Sequence, residues 1–124
     1  MSQAKPARHK LLLITASSPE IRRVRRTRVL NFQQITMPYL AALAPVTWEV
    51  FHIDEAVTPV DASLDVDLVG ITFHTPSAFH VYGLATQFRR RGIPVVLGGP
   101  HVTLLPGQLS RICSGFRVQK CWPV

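Results

Sequence analysis

The sequence predicts an α/β fold, a doubly wound, flavodoxin-like parallel sheet, on three observations. Short apolar runs alternate with segments of helical spacing. A Gly-Gly pair, Gly98-Gly99, closes the last of those runs, where a turn must be tight. A length of 124 residues allows one domain with one core. Alternation at this spacing means parallel β/α units with right-handed crossovers, most simply ordered 2-1-3-4.

The elements follow in order. Lys10 to Ala16 (KLLLITA) is an apolar run that reads as a strand, ended by the turn formers Ser17, Ser18 and Pro19. Glu20 to Gln34 is basic and lacks a period, so an extended loop is expected. Thr36-Met37-Pro38 resembles a helix start; Tyr39, Leu40 and Leu43 follow at helical spacing, and Pro45 stops it. Trp48 to Asp54 (WEVFHID) alternates apolar and polar residues, the pattern of a strand nearer a sheet edge. Thr58 to Asp67 is a loop, and Leu68 to Phe73 (LVGITF) is a fully apolar third strand.

His74-Thr75-Pro76-Ser77 turns the chain into a helix from Ala78 to about Arg91, with Thr75 or Ser77 as the expected cap. Val81, Leu84, Ala85 and Phe88 form its apolar face, Arg89 to Arg91 suit the dipole at its end, and Gly92 terminates it. Ile93 to Leu97 is the fourth strand, and after the glycines His101 to Leu105 can start a helix. A fifth strand should follow, but only Phe116 to Val118 offers a weak candidate, so it is expected to be incomplete.

Composition narrows the function. Hydrophobic content of 47% and charged content of 17% mark a globular chain. No apolar run approaches a membrane span. The basic start followed by Leu11 to Ile14 imitates a secretory signal but is too short for one. Cys113 and Cys121 form neither a disulfide framework nor a CxxC pair, which leaves the cytoplasm as the expected location. The formal charge of +7 is uneven: all seven acids lie between Glu20 and Asp67, and five arginines crowd positions 22 to 28. Such a run could track a phosphate backbone, yet it has no interleaved aromatics and no helix-turn-helix around it. Nucleic acid therefore stands as a minor alternative.

In doubly wound sheets ligands sit outside the carboxyl ends of the strands. Three segments meet there: Ser17 to Asn31, His74 to Ser77 and Gly98 to Thr103. They bring hydroxyls, two histidines, glycines and arginines to one crest, which suits a large ligand with phosphate and amide groups. The candidate binding residues are Thr72, His74, Thr75, Ser77, Gly98, Gly99, His101 and Thr103. His74 and His101 read equally well as plain loop residues and as ligand contacts. His52 reads as a surface residue and His80, in a first helical turn, as solvated. Asp54 or Glu55 would suit a ribose in a nucleotide fold, but the first loop has no GxGxxG. No Ser/His/Asp set can be assembled. A receiver-like regulatory domain would need an acid pair after the first strand and an Asp ending the third, where this chain has Ser17, Ser18 and His74.

Three stretches carry a resemblance to a known family: LNFQQ…MPYLAAL at 30–43, DLVGITFHTPSA at 67–78 and VVLGGPHVTLLP at 95–106. They resemble the cobalamin-binding Rossmann-like domain, in the subset found at the N-terminus of cobalamin-dependent radical S-adenosylmethionine enzymes. The likeness spans about residues 10 to 106, preceded by a disordered start (1–9) and followed by an atypical tail (107–124). It implies cobalamin as cofactor, with the nucleotide tail running beside Thr75, Ser77, Gly98 and Gly99. It also implies a separate or lost radical S-adenosylmethionine catalytic domain as partner.

Two departures matter. The Asp-x-His-x-x-Gly loop is missing, since Thr15 to Thr36 holds neither Asp nor His, so no protein ligand on cobalt is expected. The CxxxCxxC triad that would hold an iron–sulfur cluster is also missing, so the chain is not expected to be active alone and reads as a truncated or frame-shifted product.

Overall fold

The computed structural model describes residues 8–20 and 35–104. The arginine run at 22–28 and the tail beyond 104 lie outside them, as do the expected extended loop after Glu20 and any fifth strand. The described chain runs β1 (His9–Thr15), α1 (Thr36–Leu43), β2 (Trp48–Asp54), β3 (Leu68–Thr72), a 3₁₀ turn (Thr75–Ser77), α2 (Ala78–Arg90), β4 (Val95–Gly98) and α3 (Pro100–Leu104). The four strands form one parallel sheet in the order β2-β1-β3-β4, the flavodoxin-like arrangement the sequence predicts.

Successive side chains on a strand point to opposite faces, and here the two faces differ. Leu12, Ile14, Val69, Ile71, Val95 and Leu97 face α2 and bury against Val81, Leu84, Ala85 and Phe88, the face its spacing predicts. Burial of each large side chain there contributes roughly 1.5–3 kcal/mol. The alternate residues, among them Leu11, Leu13, Gly70 and Val96, face α1 across a gap. Met37 is buried under α1, whereas Tyr39, Leu40 and Leu43 remain exposed.

Helix ends explain where the boundaries fall. Gly92 has φ 79°, and its N–H bonds the carbonyl of Arg89 while the N–H of Ile93 reaches Phe88. That is a Schellman stop, and glycine supplies the left-handed residue it needs. It also shifts β4: Ile93 is spent on the cap and Pro94 has no N–H, so the ladder runs Val95–Gly98 rather than from 93. α3 correspondingly begins at Pro100. Ser77 holds the N-cap position of α2, one of the two expected, but its side chain makes no capping bond there, and neither does that of Thr75. Ser77 Oγ instead accepts the Ser18 N–H at 3.3 Å, and Thr75 Oγ1 bonds the His101 ring at 2.9 Å. Arg91 is drawn away from the helix end; its guanidinium donates to the carbonyls of Ala62 and Leu64 and pins the β2–β3 loop.

Candidate functional site

The gap between α1 and the sheet is an open groove of about 800 Å3. Its floor is Leu11 and Leu13 of β1, Leu68 and Gly70 of β3, and Val96 of β4; Met37, Leu40 and Leu43 of α1 form one wall. It extends from Pro45 and Trp48 to a mouth made by Thr72, His74, Gly98, Gly99 and Pro100 at the carboxyl ends of β3 and β4. Among the described residues, no Asp, Glu, Lys or Arg lines it, and His74 is the one ionisable side chain that does. Such a groove suits a largely apolar group with a polar head at the mouth.

The expected site residues divide between the groove and the packing behind it. Thr72 and Gly98 are register partners on the groove face, and His74 follows, exposed, in extended backbone. Gly99 lines the mouth as well, but the fold itself accounts for its being glycine. Its φ is 102°, and a Cβ there would lie 2.8 Å from the Phe73 carbonyl oxygen and from Thr72 Oγ1.

Thr75, Ser77 and His101 do not line the groove. His101 is 2% exposed, with Nε2 3.1 Å from the Tyr82 hydroxyl and Nδ1 2.9 Å from Thr75 Oγ1. Its ring also lies 5.3 Å from that of Phe73, itself edge-on to Tyr82. Both ring nitrogens are engaged, so His101 is a packing residue that ties α3 to α2 and to the 3₁₀ turn. Thr103 lies within α3.

Two acids and two further histidines lie away from the groove, and of the histidines only His80 departs from the sequence reading. Glu55 is 3% exposed and accepts from His80 Nε2 at 2.9 and 3.0 Å, so His80 is a partner of a buried carboxylate rather than a solvated residue. Asp54 Oδ1 accepts the Ala56 N–H at 2.9 Å and shapes the turn after β2. His52 is exposed, as expected, with Nε2 3.0 Å from Thr15 Oγ1. Among the described residues, no group of three or more His, Cys, Asp or Glu could hold a metal ion. No described helix is long and apolar enough to cross a membrane.

Sequence reasoning missed the groove floor, Gly70 above all. The available signal was a glycine inside an apolar strand, which marks a bulge or a close approach.

The fold and the groove define a doubly wound α/β domain with a ligand-sized cleft at the carboxyl edge of its sheet. The chain is similar to the bacteriochlorophyllide d C-8(2)-methyltransferase of Chlorobaculum tepidum, 38% identical over 72 residues. That match covers 57% of this chain and 16% of the methyltransferase, so the likeness is to a small part of a longer protein. No family model matches the chain, and no solved structure matches it.

Proposed function

We propose that this domain binds cobalamin and presents it to a methyl-transferring catalytic domain of the radical S-adenosylmethionine type. The observation that carries this reading is the groove, lined by no charged side chain among the described residues, open at the carboxyl ends of β3 and β4 and running beneath α1. The residues present suit the group. An apolar floor with no side chain at Gly70 leaves depth for a flat heterocycle, and Thr72 and His74 at the mouth offer polar partners for phosphate or amide groups. The resemblance of residues 30–43, 67–78 and 95–106 supports the same cofactor, and the likeness to a methyltransferase supports the reaction class.

When bound, cobalamin supplies a cobalt centre that carries a methyl group. This chain's residues bind and orient it: the floor excludes water from the nucleotide tail, and the tight turn at Gly99 holds the mouth in place. No protein ligand to cobalt is expected. His101 and His80 lie outside the groove, held by Tyr82 and Thr75 and by Glu55, and His74 is the imidazole lining the mouth among the described residues. The backbone of β3 fixes where His74 begins and limits its reach.

Hydroxocobalamin mixed with the purified chain should co-elute as a coloured complex on gel filtration; a colourless protein peak would refute the proposal. Electron paramagnetic resonance of the bound Co(II) form should lack threefold nitrogen splitting. A threefold splitting that vanishes in His74→Ala would show that His74 binds the metal.

A further inference from the structure

Among the described residues, neither the backbone nor the packing requires glycine at position 70. Gly70 sits mid-strand in β3, paired with Leu13 of β1 on one side and Val96 of β4 on the other. Glycine weakens such a position, since it loses more backbone entropy than other residues and packs nothing. Its backbone makes no demand, because the positive-φ glycines of the described chain are Gly92 and Gly99. Packing demands little either. Among the described residues a Cβ would meet one atom within 4 Å, Leu13 Cδ2 at 3.1 Å, the far end of a side chain that has to give by only a few tenths of an ångström. Gly99 is the opposite case, hemmed in by backbone. What Gly70 does is keep the floor of the groove low where it is half-open.

We infer that Gly70 is the specificity-determining residue of the groove, holding open a slot that admits a flat ring and that a larger side chain closes. This rests on the cobalamin reading, in which the flat ring is the benzimidazole of the nucleotide tail. A ring lying on the strand needs carbon contacts at about 3.5–4.0 Å, and a valine side chain at 70 would occupy that layer. Thr72, on the same face two residues along, and His74 at the mouth then meet the polar part of the ligand.

The test compares the wild-type chain, Gly70→Ala and Gly70→Val for binding of hydroxocobalamin and of cobinamide, which keeps the corrin but lacks the nucleotide. Melting temperatures are measured alongside. The wild type should prefer cobalamin. Gly70→Val should lose that preference, with cobalamin bound roughly tenfold more weakly and cobinamide unchanged. Its melting temperature should hold or rise, because a β-branched residue suits a strand.

Unchanged cobalamin affinity overturns the inference; so does equal loss of both corrinoids, or a lower melting temperature, which would assign Gly70 to the fold. Should Gly70→Val not fold, Gly70→Ala is read by the same criteria with a smaller loss, as Leu13 has only to give by a few tenths of an ångström. If the wild type retains neither corrinoid, the cobalamin reading fails, and free dimethylbenzimidazole decides the slot. A saturation-transfer signal from the wild type that is absent from the variant upholds it. Equal signals, or none from the wild type, overturn it.

Discussion

Gly99→Ala should be the costliest small substitution in this domain, and the geometry sets the size of the loss. At φ 102° an L side chain is strained, which costs roughly 1–2 kcal/mol. The new Cβ would also lie 2.8 Å from both the Phe73 carbonyl oxygen and Thr72 Oγ1, and 3.1 Å from the Phe73 nitrogen. Two of those atoms are backbone, in a segment fixed by the Phe73 N–H to Gly98 carbonyl bond, so they cannot rotate away. Overpacking against a rigid wall adds about 1–3 kcal/mol. The total is about 3 kcal/mol, or roughly 12–24 °C in melting temperature for a domain of this size.

Gly92→Ala is the control, since Gly92 shares the positive φ (79°) but has nothing within 4 Å of the added Cβ. It should lose only the conformational part, about 1 kcal/mol. Urea unfolding followed by circular dichroism measures both. If Gly99→Ala loses no more than Gly92→Ala, the close approach of the turn to β3 is wrong, and so is the mouth built on it.

Two further outcomes follow from side-chain pairs. His80→Ala removes the donor held 2.9 Å from the nearly buried Glu55 carboxylate and should cost roughly 1.5–3 kcal/mol in urea unfolding. In Glu55→Gln/His80→Ala the loss should fall short of the sum of the singles, and strict additivity would deny the coupling. Asp61 is held below the usual carboxylate range by the Ser63 hydroxyl, by the Ser63 N–H and by the Arg91 charge. Because the folded value is the lower one, its stabilising effect is present above the ordinary Asp range and is lost as pH falls through the folded value. The stability gap between wild type and Asp61→Asn should therefore be constant near neutrality and close in strong acid. A gap that persists there would refute the assignment.

Much of the fold was legible because local chemistry agreed with it. WEVFHID alternates and is a strand over those seven residues, at the sheet edge that its polar positions require. Gly92 ends α2 because the Schellman turn needs a left-handed residue, and the apolar face of α2 is the face it buries. The histidines were less legible, because their partners are distant in sequence. Tyr82 lies 19 residues before His101, and Glu55 lies 25 before His80. A ring nitrogen's partner across such a gap leaves no periodic trace. The groove was hidden for another reason: a pattern of apolar residues shows that a strand face is covered, but not where the described residues leave a gap between α1 and the sheet.

The division of the crest residues, by contrast, follows from strand parity. Gly70 and Thr72 fall on one face of β3, and Val96 and Gly98 fall on the same face of β4, as the Thr72–Gly98 pairing requires. Ile71 and Leu97 fall on the other face and bury against α2. Nearness to a strand's carboxyl end gathers all the polar residues into one set, whereas parity separates those on the groove from those serving the packing of α2. The consequence is a domain with unequal faces. Pairs such as Glu55 with His80 and Tyr82 with His101 reinforce the contacts made by α2, while the described residues of the opposite face leave a slot with no charged lining. Substitutions on the α2 face should therefore register first as lost stability, and those at Gly70, Thr72 or His74 first as lost binding.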